Sequence, residues 1–460
     1  MVLKTADILD AATGATLIGS ESDDTMSGGA GDDHLRGKNG DDTIHGDGVG
    51  TVTVPLDIAG SVTGADLPVE LSYRISGLPQ GATLSAGADN GDGSWTVVGD
   101  AIVGLQVTAP DTGGFTLRIF AAALDDSSLT AEADLNVTLA GGNADLIEGG
   151  KGNDTLFGDA GDDIIYGGSK PSGAPANPDA PLPPGNDELH GGDGNDTIYA
   201  GHDDDHAWGD AGDDWISGGK GDDHIDGGDG NDVLYGNTGD DVVIGGAGND
   251  IVEGGKGNDV LSDGDGGDTV AGGSGDDTIL MGEGDDSIRG GAGFDTLDFS
   301  AAKGSITAHL SDNVATGMGN DTFNSIEAVI GSDFIDVVIG STKDNVLKGG
   351  AGDDVLTGGR GYDTLTGGEG SDTFVFRKVD LADGSHDVIT DFGVGDRIDV
   401  SDILKGQKFS SIEDVISVKS DGDNAVVYAH LGDDVVQVAV IEGFAGHSAS
   451  DLLKDGMLLT

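Results

Sequence analysis

A nine-residue period governs this chain. The segment Gly227-Gly228-Asp229-Gly230-Asn231-Asp232-Val233-Leu234-Tyr235 reads Gly-Gly-x-Gly-x-Asp-x-apolar-x, and the pattern recurs on both sides of it. Its aspartate falls at Asp187, Asp196, Asp205, Asp214, Asp223, Asp232, Asp241, Asp250, Asp259, Asp268, Asp277, Asp286 and Asp295. From Asp187 to Asp295 every step keeps the same period, without a slip. A fixed period of this kind marks a stacked repeat architecture. Glycine allows close backbone approach, so the first six residues form a tight turn. The last three form a short strand whose middle residue faces opposite to its neighbours. That middle position reads Leu189, Ile198, Ile216, Ile225, Leu234, Val243, Val252, Leu261, Val270, Ile279, Ile288 and Leu297, with Ala207 the weak member. Two nonapeptides close one coil carrying two strands. The expected fold is all-β, a right-handed parallel β-roll solenoid of glycine-rich nonapeptide repeats.

Such a coil buries one aliphatic side chain per nonapeptide, a thin core to set against the backbone entropy lost. The chain also carries 85 Asp and Glu against 21 Lys and Arg, a formal charge of −64, so the coils repel one another. A bound cation reverses both handicaps. Turns on one edge stack two repeats apart, so Asp196 and Asp214 share an edge. Each gap between turns then offers carboxylates and the carbonyls that glycine leaves accessible. Calcium accepts six to eight oxygens in flexible geometry, whereas magnesium demands a tighter octahedron and keeps its waters. Multiple Ca2+ ions are therefore expected on the repeat aspartates. The same charge disfavours nucleic acid and anionic membranes as partners. No run of about 18 apolar residues occurs, so no transmembrane helix is expected. With no cysteine there is neither a disulfide framework nor a thiolate metal site.

The period also divides the chain. Repeats with metal-position Asp24, Asp33 and Asp42 open it, and the pattern resumes at Asp145, Asp154 and Asp163. The gap from Asp42 to Asp145 is one period plus 94. Within that excess, Val69-Leu71-Tyr73-Ile75, Val103-Leu105-Val107, Phe115-Leu117-Ile119 and Leu129 to Leu139 alternate as half-buried strands, so a β-sandwich is expected there. From Asp163 to Asp187 is one period plus 15, and six of the ten prolines crowd into 170–184, an extended loop. Repeats return at Asp336, Asp354, Asp363 and Asp372, and Asn345 replaces one aspartate, which predicts a weaker site. The expected order is repeats over 1–48, the inserted sandwich over 49–140, repeats over 141–168, the Pro-rich loop over 169–184, the main roll over 185–298, a non-repeat β coil over 299–330, repeats over 331–375, and a C-terminal β capping region over 376–460.

The nonapeptide resembles the repeats of the repeats-in-toxin (RTX) calcium-binding proteins exported by type I secretion. The run Gly81 to Trp95 resembles Ig- or cadherin-like modules of RTX adhesins. Asp387-Val388-Ile389-Thr390-Asp391-Phe392 and Asp396-Arg397-Ile398-Asp399-Val400 resemble the C-terminal targeting region of type I secreted proteins. The tail Leu452-Leu453 to Met457-Leu458-Leu459 resembles their uncleaved export signal. The resemblance implies export unfolded through the type I secretion machinery, without a cleaved N-terminal signal peptide, and calcium-triggered folding at the cell surface or beyond. The start, Met1 to Asp7, has no apolar signal run. A hairpin of Ala425–Leu431 against Val435–Ile441 is expected to cap the roll's open end, as solenoids require.

Other motifs carry less. His202 and His206 bracket Asp203-Asp204-Asp205, but a degenerate repeat turn explains them better than a transition-metal site. Asp89-Asn90-Gly91-Asp92-Gly93 lacks the spacing and terminal Glu of an EF-hand loop and reads as a hairpin turn. No His-Glu-x-x-His zinc motif or Gly-x-Ser-x-Gly elbow occurs, so no enzyme is expected. The third turn position lacks the regular Thr of an ice-binding roll. Outward strand positions line up as His190, His206, Trp208, His224, Val242, Ile244 and Val260 on one face, and Tyr199, Trp215, Val233, Tyr235 and Ile251 on the other. Such ladders mark contact surfaces toward the rest of the chain, a second copy (a homo-oligomer or filament) or a cell-surface glycan. The function expected is structural or adhesive, in a surface layer, matrix or filament. The alternative is a carbohydrate-active or cytolytic RTX protein whose activity lies in residues 50–140.

Overall fold

The computed structural model describes residues 185–460 without a break. Before them it describes 16–18, 25–29, 34–39, 43–47, 51–55, 71–76, 78, 82–91, 94–98, 106–110, 114–123, 130–138, 144–151 and 153–168. Two compact units emerge, Met1–Ser217 and Gly218–Thr460. Asp24, Asp33, Asp42, Met1 to Asp7, the strand positions Val69, Val103, Leu105, Leu129 and Leu139, the turn at Asp92-Gly93 and the loop 169–184 lie outside the described residues.

In the second unit, alternate nonapeptide strands join two parallel sheets. One carries Val233–Thr238, Ile251–Lys256, Thr269–Ser274 and Ser287–Ala292. The other carries His224–Asp229, Val242–Ala247, Val260–Ser262, Thr278–Leu280 and Thr296–Asp298. Val233 pairs with Ile251 and Val242 with Val260, each two nonapeptides on. This is the parallel β-roll, and its core is the predicted column: Ile225, Leu234, Val243, Val252, Leu261, Ile279 and Leu297 are fully buried.

Many strands run six residues where three are expected. Val233–Thr238 continues beyond Tyr235, and its pairing skips Gly236 and resumes between Asn237 and Gly255. The first glycine is therefore a corner within a hydrogen-bonded path, and the turns too are bonded coil to coil. The Gly230 amide donates to the Ala247 carbonyl at 2.8 Å and that of Gly239 to Lys256 at 2.9 Å, which satisfies turn backbone that would otherwise be costly. The stacking is close. A Cβ on Gly248, whose φ is 140°, would strike the Gly230 carbonyl.

The roll continues past its strict repeats. Leu297 pairs with Val329 and Ile288 with Phe323, steps nearly twice the length of an ordinary coil. The added segment forms short antiparallel strands at Thr307–His309 and Val314–Thr316. Thr364 pairs with Val388 and Thr373 with Arg397, steps a third longer than an ordinary coil. An antiparallel meander of Ile416–Asp421, Asn424–Leu431 and Asp434–Ile441 joins one sheet through Val388 and Val440, and Leu458–Leu459 joins the other at Ile398 and Asp399.

The first unit holds the same parallel ladders. Leu146 pairs with His34 and Thr155 with Thr43, and each step is one ordinary coil once the excess of 94 is set aside. Ile164 pairs with Thr197 and Thr155 with Glu188, again one coil once the excess of 15 is set aside. The described residues between 51 and 138 include two antiparallel sheets. One orders Thr51–Pro55, Gln106–Pro110 and Thr83–Leu84; the other orders Thr130–Thr138, Gly114–Ala123, Leu71–Ser76, Ser94–Val98 and Ala88–Asp89. Tyr73, Ile75, Leu84 and Val97 are buried. Outward rings stack along the first unit's ladder: His45 on Phe157 at 4.6 Å, Phe157 on His190 at 4.8 Å and His190 on Trp208 at 4.4 Å between centroids. Tyr166 stacks on Tyr199 at 4.9 Å on the other sheet.

Leu234→Ala opens a cavity in the fully buried column and lowers stability in calcium by about 2–5 kcal/mol. The outward Val260→Ala changes it by no more than about 0.5 kcal/mol. Denaturant melts of both variants in excess calcium measure the difference.

Candidate calcium-binding turns

The sixth turn residue places its side chain under the next coil. Asp145, Asp154, Asp163, Asp187, Asp196, Asp205, Asp214, Asp223, Asp232, Asp241, Asp250, Asp259, Asp268, Asp277, Asp286, Asp295, Asp336, Asp354, Asp363 and Asp372 are all buried. One oxygen of the carboxylate ties two coils. The Asp241 amide donates to Oδ1 of Asp259 at 2.9 Å, that of Asp250 to Asp268 at 2.7 Å and that of Asp259 to Asp277 at 3.0 Å. In the first unit Asp196 donates to Asp214 at 2.7 Å. There the bond also bridges the longer steps, Asp154 to Asp187 at 2.8 Å and Asp163 to Asp196 at 2.7 Å.

The second oxygen has a different fate. Oδ2 of Asp196, Asp241, Asp250, Asp259, Asp268, Asp277, Asp286, Asp295, Asp354 and Asp372 is buried with no hydrogen-bond partner. Isolated burial of a charged oxygen is expensive. The cost appears as raised pKa values: burial pushes Asp196, Asp241 and Asp354 to about 7 and Asp259, Asp268, Asp295 and Asp372 to about 6, against the relief given by the amide bond.

A cation fits these oxygens. A Cβ on Gly236 would sit 2.5 Å from Oδ2 of Asp241 and 2.7 Å from the carbonyl oxygen of Gly254 in the next coil. Only glycine leaves that space open. Carboxylate and carbonyl oxygens from two turns form an all-oxygen donor set, which suits a hard cation such as calcium.

Two turns depart from this plan. Oδ2 of Asp336 accepts from the Ser332 amide at 2.6 Å, Ser332 Oγ lies 2.9 Å from both carboxylate oxygens, and Oδ1 accepts from the Ile306 amide at 2.7 Å. The protein thus consumes the carboxylate read as a metal ligand at Asp336, because serine replaces the second glycine. At Asn345, Oδ1 accepts from the Ser341 amide at 2.7 Å and hydroxyl at 3.0 Å, and Nδ2 donates to the Glu327 carbonyl at 3.1 Å. Glu327 in turn accepts the Asp295 amide at 3.3 Å and meets Lys343 Nζ at 2.9 Å.

Four further aspartates stand in the turns of the roll, two of them, Asp321 and Asp263, with Oδ2 buried and unpartnered. Asp321 is buried with its Oδ2 unpartnered, and its Oδ1 takes the Asp286 amide at 3.2 Å. Gly317-Met318-Gly319-Asn320-Asp321-Thr322-Phe323 signals it once the nine-residue phase is allowed to slip. Asp387 and Asp396 take the amides of Asp363 at 3.4 Å and Asp372 at 3.0 Å, across the same lengthened steps. Asp263 stands where the repeat has its first glycine and is fully buried. His202 and His206 join no cluster of three or more metal-binding side chains among the described residues.

Gly236→Ala blocks the space at Asp241 and shifts calcium-induced folding to higher calcium. Gly304→Ala, with nothing within 4 Å of the added carbon, leaves it in place. Circular dichroism across a calcium titration reads both. A second expectation concerns pH in excess chelator. The apo roll holds protons at about 6–7 on Asp241, Asp259 and Asp295 that the unfolded chain releases near its ordinary value of about 4. The apo fold is therefore most favoured below about pH 4 and loses stability as pH rises toward about 7. Acidifying the chelated protein from about pH 8 to about pH 5 should increase its β-sheet circular dichroism.

The family model of the RTX calcium-binding nonapeptide repeat matches residues 16–48, 139–169, 184–297 in overlapping windows, and 330–376. Two solved structures are similar to parts of the chain. One is the AlgE6R3 subunit from the Azotobacter vinelandii mannuronan C5-epimerase, 28% identical over 26% of this chain and 79% of that one, with a TM-score of 0.18. The other is the extracellular lipase LipA from Serratia marcescens, 13% identical over 67% of this chain and 45% of that one, with a TM-score of 0.19. No curated protein matches the chain. With its repeats stacked as a parallel β-roll and a turn chemistry suited to many calcium ions, the chain belongs to the RTX calcium-binding nonapeptide repeat family.

Proposed function

We propose that this chain is a secreted structural or adhesive protein, in a surface layer, matrix or filament, that folds when it meets calcium outside the cell. The carrying observation is the series of buried, unpartnered Asp Oδ2 atoms, repeated coil after coil. The ligands assigned are the repeat aspartates together with Asp321; Asp336 is left out because Ser332 and Ile306 already engage both its oxygens. Extracellular calcium modules bind at about 10⁻⁴–10⁻³ M, so such sites fill outside the cell and stay empty where calcium is scarce. Many sites filled together stabilise the folded chain by mass action.

Export as an unfolded polypeptide by the type I machinery agrees with the C-terminal likeness and with the absence of cysteine. The outward ladders support contact with a second copy. Phe157, His190 and Trp208 stack as half-exposed rings in one unit, and Val242 and Val260 align on the outer face of the other. The role proposed is non-catalytic.

Size-exclusion chromatography and circular dichroism at neutral pH, with calcium and then with excess chelator, test the folding. The expected result is a compact β-rich species with calcium and an expanded one without; a compact β-rich protein in chelator refutes it. Light scattering in calcium tests assembly. The native chain should scatter more over time, and a Trp208→Ser, Val242→Ser double variant should not; equal scattering from the two discards the self-association.

A further inference from the structure

The first glycine of the nonapeptide recurs at Gly227, Gly236, Gly245, Gly254 and Gly272, but position 263 between them is aspartate. At the glycine positions an added Cβ points at the Oδ2 of the aspartate five places on, as Gly236 does toward Asp241. Asp263 carries a carboxylate on that line, toward Asp268. The coil makes room for it. The strands around it, Val260–Ser262 and Thr278–Leu280, stop after three residues where their neighbour Val242–Ala247 runs six. Stacking is kept by single bridges from Asp265 to Ala247 and to Glu283.

Asp263 is fully buried, and Asp268 and Asp286 are nearly so. Each spends one oxygen on the backbone. Asp263 Oδ1 accepts from the Gly264 amide at 3.0 Å, Asp268 Oδ1 from the Asp250 amide at 2.7 Å and Asp286 Oδ1 from the Asp268 amide at 2.9 Å. Each leaves Oδ2 buried and unpartnered. One oxygen from each of the three lies within 4.8 Å of the other two. Oxygens on opposite sides of one calcium ion, each at about 2.3–2.6 Å, are separated by about that much, so a single ion can touch all three. Among the described residues no other three metal-binding side chains converge in this way.

We infer that Asp263, Asp268 and Asp286 form a three-carboxylate cation site, tighter than the ordinary turns and selective for higher charge. The inference rests on the reading of the repeat turns as cation sites and sharpens it for one turn. An ordinary turn pairs carboxylate with neutral carbonyl oxygen. The third carboxylate raises the charge of the donor set, and charge count tunes the affinity of oxygen sites. Three carboxylates leave −1 around a divalent ion and neutrality around a trivalent one of similar radius and hardness. This site therefore fills first as calcium rises, and a trivalent lanthanide displaces calcium here before it does so elsewhere.

The test uses the full-length, calcium-loaded chain, dialysed against rising terbium, with both metals counted by elemental analysis. Asp263→Gly restores the residue of the repeat, so the variant keeps the turn its neighbours have. The native chain should retain one terbium per molecule at a concentration at least about tenfold below that needed by Asp263→Gly, with its remaining calcium released only at higher terbium in both proteins. Asp263→Asn, which keeps the size and removes the charge, should behave as the glycine variant does. Equal terbium retention by two calcium-folded proteins overturns the three-carboxylate site alone. Failure of both to fold with calcium overturns it together with the calcium reading of the repeats.

Discussion

A buried carboxylate with two different duties holds this molecule together. Oδ1 of Asp259 accepts the amide of Asp241 and so fixes one coil on the next. Oδ2 of the same side chain has no protein partner. The first duty pulls the second oxygen out of water along with the first. The backbone stacking thus creates the electrostatic demand that a cation meets, and ion and fold cannot be separated. A chain of charge −64 whose stacking bonds run through carboxylates has two ways to relieve that demand. It can bind protons, which the raised pKa values of Asp196 and Asp241 express, or it can bind divalent ions. At neutral pH only the second leaves many sites neutralised at once.

The same bond explains why the roll tolerates large interruptions. What a turn needs is another turn beneath it, one coil away in space. Leu146 finds His34 across the whole inserted segment, and Asp154 finds Asp187 across the Pro-rich stretch. Closing a longer loop costs little more than closing a short one, since the entropy grows only with the logarithm of length. The material between can be two antiparallel sheets or a Pro-rich stretch, provided the chain re-enters in phase. In the second unit the steps lengthen at Leu297, Ile288 and Thr364 without loss of the parallel register.

Where phase is kept in the sequence, the structure was readable from it. The apolar column from Ile225 to Leu297 and the buried aspartates follow from the letter pattern alone, because one residue type recurs at one offset and only one stacking satisfies all of them. Asp321, Asp387 and Asp396 were not readable by that rule, since their lengthened steps keep phase in space and lose it in sequence. Asp336 departs from the other turns for the opposite reason. It keeps phase, but the serine two places into its turn adds a hydroxyl that glycine lacks to the bond from its own amide, and the oxygen left unpartnered elsewhere is taken. Strand length was under-read because a glycine corner looks like a turn in letters and behaves as hydrogen-bonded backbone once a neighbouring coil is present.

The turns are therefore not equivalent in their need for ions. Most present an aspartate and an empty glycine corner. At 331–336 and 340–345, Ser332 and Ser341 close the turn from within, and Lys343 supplies a fixed positive charge to Glu327. Farther along the same unit Phe374, Phe376, Ile389, Ile398, Val427 and Ile441 are buried, a far denser apolar set than one aliphatic side chain per nonapeptide. In the two turns themselves, serine amide and hydroxyl groups engage side-chain oxygens of the kind left unpartnered at Asp241 and Asp259. The two serine-closed turns thus need a cation less than the turns around them, whereas Asp354 and Asp372, farther along the chain, keep a buried, unpartnered Oδ2 as Asp241 and Asp259 do, because a turn with glycine in its second place has no hydroxyl to offer the carboxylate.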